Sequence, residues 1–167
     1  EGLMRFVEKM TKAVIKKTFG TLSITSRGRR VAWGKKWRRY DYYDLFKKGT
    51  GLDLHAATAK DMLTKAHSLG ITHIESGAAR GRLIDLLFKH TVRKELIDPG
   101  FLINPPVDIE PLAKRMPDDA HRVERFQVVA IGTELGKGFS ELNDPIDQRH
   151  RFEEQMALRA AGDKEAQ

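Results

Sequence analysis

Apolar residues at the start of the chain recur at three- and four-residue spacing: Leu3, Phe6, Val7, Met10 and Val14. That rhythm predicts an amphipathic helix over residues 3–17, with Gly20 as its terminator. The period then changes. In TLSITSRGRRVAW, apolar and polar residues alternate on both sides of SRGR, which predicts a β-hairpin with Gly28 in the turn. The segment GKKWRRYDYYDLF follows, with Asp41 placed to cap a short helix. Thr58, with Asp61 three residues on, marks another helix start; Met62, Leu63, Ala66 and Leu69 are expected inward and Gly70 as the stop. A longer helix is expected from about Ala79 to Ile97, its apolar side carrying Leu83, Leu86, Leu87, Val92 and Leu96.

The C-terminal half reads as strands and then a helix. FLINPPVDIEPLAK is extended, and Pro105 and Pro106 belong at a strand start, an edge or a bulge because proline has no N–H to donate. RFQVVAI is the next strand, and Gly132-Thr133 fits a two-residue turn leading into ELGKGFSEL. Asp144 followed by Pro145 predicts the start of a last helix, IDQRHRFEEQMALRAAG.

Side chains alternate faces along a strand. With Gly132-Thr133 as the turn, Ile131 faces Glu134, and Gln127, Val129 and Ile131 share a face with Glu134, Gly136 and Gly138. Lys137, Phe139 and Glu141 then point the other way in an unbroken strand. Glu134 and Glu141 share a face only across a bulge, which Gly136 or Gly138 would tolerate. Carboxylates in such a strand are costly to bury unless a positive or hydrogen-bonding group meets them. From the residues alone, edge glutamates bridged to Lys or Arg and a ligand site made shallow by glycines stand about level.

Composition narrows the picture. A chain of 167 residues, 40% of them hydrophobic, is enough for one domain with a core. There is no cysteine, which excludes disulfides and thiolate metal sites and fits a reducing, cytoplasmic setting. No apolar run reaches the length of a membrane span, so no membrane partner is expected. The chain opens at Glu1 with no lead-in to its first helix, and the expectation is that something precedes it. The net charge of +7 is uneven: residues 1–48 hold 14 Lys/Arg against 4 Asp/Glu, the remainder 16 against 19. The basic block permits a polyanionic partner such as RNA, although a solvated helix face explains it as well. No Walker loop, nucleophile elbow or metal-ligand spacing occurs, and the histidines at 55, 67, 73, 90, 121 and 150 are scattered.

Four ordered blocks carry a resemblance. GFSELNDPIDQRHRFEEQ resembles the string F-S-E-L-N-D-P-x-D-Q-x-x-R-F-E-E-Q of class II lysyl-tRNA synthetases. WGKKWRR is similar to that family's G-K-P-W-R-R, and ARGRLIDLLFKHTV to its G-R-G-K-L-I-D-E-L-F. DPGFLINPPVDIEPLAKR is similar to its P-T-F-(V/I)-x-x-Y-P-x-E-x-S-P-L-A-K-R. The resemblance implies an α+β fold, part of an antiparallel-sheet catalytic domain, with a helical and hairpin insertion at about 21–98 and active-site strands and helix at about 101–160. It also implies an enzyme that activates L-lysine with ATP and Mg²⁺, transfers it to tRNA(Lys), and works as a homodimer.

Carried over residue by residue, the resemblance assigns Glu134 and Gln127 to the Mg²⁺ and ATP, and Lys137, Phe139 and Glu141 to the lysine pocket, with Glu141 meeting the substrate ε-ammonium. Two positions depart from the family: Gln127 stands for a glutamate and Lys137 for an asparagine, so fewer or weaker Mg²⁺ ions are expected. The segment corresponds to the stretch between motifs 2 and 3. Motif 1, which supplies the dimer contact, and the ATP-clamping arginines of motifs 2 and 3 are not found in it. The segment by itself is therefore not expected to aminoacylate tRNA, whereas the full protein is. The rival readings are a ligase that attaches β-lysine to an elongation factor, and a non-catalytic tRNA-binding module built from synthetase parts.

Overall fold

The computed structural model describes residues 1–74, 77–160 and 162. Helix α1 (Gly2–Phe19) ends at Gly20, which sits at φ 68° and donates its N–H to the Lys16 carbonyl. Its inward face is not the stripe the spacing suggests. Ile15 is buried and Met4 and Val7 pack on the core, while Leu3, Phe6, Met10 and Val14 are exposed. The hairpin of β1 (Ser23–Ser26) and β2 (Arg29–Ala32) closes through Arg27 and Gly28, both at positive φ as a type I′ turn requires.

Three helices follow a short strand, β3 (Arg38–Asp41). The Asp41 carboxylate accepts from the N–H groups of Tyr43 and Asp44 and starts α2 (Tyr42–Thr50). Thr58 and Asp61 form a reciprocal capping box at the head of α3 (Ala59–Ser68). Met62 and Ala66 of this helix are buried, whereas Leu63 faces solvent rather than the core. Helix α4 (Arg80–Thr91) stops well short of Ile97, and a single 3₁₀ turn, Arg93–Glu95, follows it. Beyond that turn the carbonyls of Leu96 and Ile97 accept from the N–H groups of Gly132 and Ile131 respectively.

The main sheet runs β3, β4 (Gly100–Ile103), β5 (Arg125–Ala130), β6 (Thr133–Phe139). The last three strands are antiparallel, as expected. β3, however, runs parallel to β4, because the chain crosses over through α2, α3 and α4 before returning as β4. Gly100 makes that edge possible, since a Cβ there would lie 2.6 Å from the Tyr40 ring and 2.9 Å from the Arg38 carbonyl oxygen.

Each face of the sheet carries a hydrophobic core. On one side Leu102 and Val129 pack with Tyr42, Phe46, Met62, Leu83, Leu87 and Phe88 of the helices. On the other, Phe101, Val128 and Ala130 pack with Ile15, Val31, Trp33 and Trp37. After β4 the chain passes Pro105 and Pro106, and Pro106 makes an isolated antiparallel bridge to Arg122 before a 3₁₀ turn, Val107–Ile109. Helix α5 (Pro145–Ala160) closes the described chain but for Gly162; Ala161, in the predicted helix, lies outside the described residues.

Candidate functional site

The β5–β6 hairpin turns one residue earlier than its sequence suggests. Ala130 pairs with Thr133, so Ile131 and Gly132 form the turn, at φ 55° and 68°. A β-branched residue rarely adopts positive φ. Here the two hydrogen bonds to Leu96 and Ile97 hold it there, and a Cβ on Gly132 would meet the Lys94 Cα at 3.3 Å.

That shift sets the register. Val129 faces Glu134, Val128 faces Gly136 and Gln127 faces Lys137, with Leu135 left over as a one-residue bulge. The expectation that Ile131 faces Glu134 is thereby corrected. The bulge falls beside Gly136, as the glycines suggested, and brings Glu134, Lys137 and Phe139 onto one face with Arg125, Gln127 and Val129.

This face floors an open cleft of about 760 Å³, walled by α4, the 107–111 segment and α5. At its floor four charged groups and an amide are joined. The Arg125 guanidinium lies 2.8 Å from Glu110 and 3.9 Å from Glu134. The Lys137 ammonium donates to the same Glu110 oxygen at 3.3 Å. Gln127, buried, donates its amide N–H to Glu134. Burial pulls the Arg125 pKa down, and the Glu110 and Glu134 carboxylates oppose it. Two carboxylates and two cations thus compensate one another in a partly desolvated place.

The walls are basic. Arg80, Arg82 and Lys89 come from α4, Arg93 from the 3₁₀ turn after it, Arg115 from the loop and Arg151 from α5, against the wall carboxylates Asp85, Asp108 and Glu154. Arg80 is fixed by Asp108 at 2.6 Å and by the Leu54 carbonyl at 2.5 Å. Arg151 is buried and donates to the carbonyls of Pro111 and Ala113 and, twice, to Asp147. The bonds from Arg151 first, and one from Arg115 as well, hold the Asp147 carboxyl down at about 2.

Of the five residues singled out in the sequence, Gln127, Glu134 and Lys137 line the cleft together. Phe139 continues the strand opposite Arg125, and Glu141, exposed, bridges to Ala113; neither is among the described residues lining the cleft. Sequence reasoning missed Arg125 and Glu110. Arg125 was legible, since it lies two residues before Gln127 in a strand and must share its face. Glu110 was not: its place depends on the fold of the prolines and the 3₁₀ turn. Among the described residues no group of three or more His, Asp or Glu side chains is arranged to hold a metal ion.

The family model for class II tRNA synthetases (D, K and N) matches residues 1–167. The chain belongs to this family. Similar proteins include a lysine–tRNA ligase of Moorella thermoacetica, 44% identical over 165 residues, covering 98% of this chain and 34% of that protein. A lysine–tRNA ligase of Nostoc punctiforme is 40% identical over 166 residues, 99% of this chain and 30% of that one. One of Chloroflexus aurantiacus is 38% identical over 165 residues, 99% and 34%. The chain therefore spans about a third of the length of the curated relatives it matches. Among the described residues no helix is long and apolar enough to cross a membrane.

Proposed function

We propose that this chain is the lysine- and ATP-handling part of a cytoplasmic lysine–tRNA ligase, which forms lysyl-adenylate and passes the lysine to tRNA(Lys) as a homodimer. In this reading residues of about 21–98 form the insertion, and about 101–160 the active-site strands and helix. The observation that carries it is the joined set Gln127, Glu134 and Lys137 on the floor of a basic cleft, in a chain similar along its whole length to lysine–tRNA ligases.

A cleft walled by arginines favours polyphosphate, whose oxygens take bidentate guanidinium contacts. Mg²⁺ fits here in one form only. With two carboxylates, both already met by Arg125, the floor offers no all-protein cage. Glu134 and the Gln127 carbonyl oxygen suit an ion that brings most of its ligands as phosphate oxygens and water, which is how Mg²⁺ is commonly held. When bound, the ion would neutralise phosphate charge during attack on the α-phosphorus. Phe139 and Glu141, with Lys137 beside them, frame the amino acid, and Glu141 receives its ε-ammonium as a charge-assisted partner.

Lysine-dependent ATP–pyrophosphate exchange by the full-length gene product tests this reading. The expected result is exchange with L-lysine and charging of tRNA(Lys), with Glu134→Ala reducing exchange at least about a hundredfold through loss of electrostatic stabilisation. Exchange with β-lysine and no tRNA charging would favour the elongation-factor ligase instead. Binding of tRNA without exchange would favour the non-catalytic module.

A further inference from the structure

The charges on the cleft floor balance without any metal, and the two cations that achieve this are held very differently. Arg125 is 5% exposed and 2.8 Å from Glu110; Lys137 is 46% exposed and 3.3 Å from the same oxygen. Arg125 is fixed. Lys137 is held by a single long contact in partial solvent, the kind of ion pair that contributes little to stability. When it opens, Glu110 keeps Arg125, so no buried carboxylate is left alone. Release of Lys137 is therefore cheap.

Where its ammonium goes on release is set by the bulge at Leu135. Lys137 stands directly opposite Gln127 and on the face of Glu134. Its flexible four-carbon stem rises from the same face as the oxygen pair assigned above to a nucleotide-bound ion. Lys137, Glu110, Arg125, Glu134 and Gln127 form one connected network.

We infer that Lys137 is a tethered counter-ion for the phosphates of the nucleotide. It rests on Glu110 in the free protein, transfers to a phosphate oxygen when the nucleotide enters, and takes over charge neutralisation that otherwise falls to a metal ion. This inference rests on the reading of the cleft as an ATP site and gives that site a mechanism for working at low Mg²⁺.

The test is direct binding by isothermal titration calorimetry on the full-length gene product. ATP is titrated in EDTA and again in excess Mg²⁺, and L-lysine is titrated alone. Lys137→Met and Lys137→Arg are compared with wild type after their melting temperatures have been checked. Loss of one charge-assisted contact predicts that Lys137→Met weakens metal-free ATP binding about tenfold or more. Mg²⁺ should make good much of that loss, Lys137→Arg should retain most of the affinity, and L-lysine binding should fall by less than metal-free ATP binding does. Unaltered metal-free ATP binding by Lys137→Met, in a protein that binds ATP, overturns the inference. So does an equal loss in Lys137→Arg, which would make shape rather than charge responsible. A loss confined to the L-lysine titration assigns the ammonium to the amino-acid carboxylate and also overturns it. If wild type binds ATP under neither condition, the nucleotide-site reading itself fails, and the inference with it.

Discussion

Replacing Arg151, the buried residue of α5, with Met should destabilise the protein strongly. The Arg151 side chain is 3% exposed, and Met keeps its apolar stem while removing the guanidinium. Four hydrogen bonds go with it: to Pro111 O at 3.0 Å, to Ala113 O at 2.7 Å, and to the two Asp147 oxygens at 3.1 and 2.7 Å. Hydrogen bonds to a charged donor contribute about 1.5–3 kcal/mol each, and a buried acceptor left unpaired adds to the cost. The Asp147 half is more exposed and must be discounted for solvent screening. The two carbonyl bonds then dominate, for a loss of about 3–5 kcal/mol, a large share of the ~5–15 kcal/mol by which domains are stable. For a chain of this size that is roughly a 10 °C fall in melting temperature. Circular dichroism melts at neutral pH would measure it, with Asp147→Asn as the comparison. Asp147→Asn leaves the carbonyl bonds in place and should cost about 1 kcal/mol or less. If Asp147→Asn costs as much as Arg151→Met, or if Arg151→Met melts within about 3 °C of wild type, Arg151 does not fasten α5 to the 111–113 segment.

The same latch predicts an acid limb. Asp147 titrates at about 2 in the folded chain, below its ordinary value near 3.8, first because Arg151 hydrogen-bonds the carboxylate. A depressed folded-state pKa gives stability that is fully present above the unfolded value and is lost as the pH falls through the folded one. Urea midpoints followed from pH 5 to pH 2 should therefore drop more steeply in wild type than in Asp147→Asn, and parallel limbs would refute the assignment. Gly81→Ala offers a test of sign. Alanine gains up to about 1 kcal/mol over glycine in a helix interior and less in a first turn, where Gly81 sits. Here the added Cβ would lie 2.5 Å from the Asp108 carbonyl oxygen, backbone that cannot swing aside. Overpacking should turn the gain into a loss of about 2 kcal/mol in chemical denaturation; a stabilised variant would mean that α4 does not approach the 107–109 turn so closely.

How far the sequence could be read depended on whether a feature was local. The caps at Asp41 and at Thr58 with Asp61 use side chains that reach two or three residues along, and both formed as their spacing indicates. The Arg27-Gly28 turn is equally local. The β5–β6 turn is not, because its position is decided by the carbonyls of Leu96 and Ile97, some 35 residues earlier in the chain. One residue of displacement there, followed by one unpaired residue at Leu135, restores the alternation beyond the bulge but changes which residues share a face.

The candidate site follows from that arithmetic. Without the bulge, Lys137 and Phe139 point away from Glu134, and a residue exchange at position 137 has no bearing on the acidic pair. With it, an ammonium faces Gln127 and shares the Glu110 carboxylate with a buried arginine. The resemblance marked Lys137 as a departure but could not say what it touches, since Glu110 arrives from a separate segment through the proline turn. Position in the sheet made the departure visible; the partner supplied by a distant loop gives it a physical meaning. Lys137 is tied down where it can be released, and Arg125 stays behind to keep the site neutral.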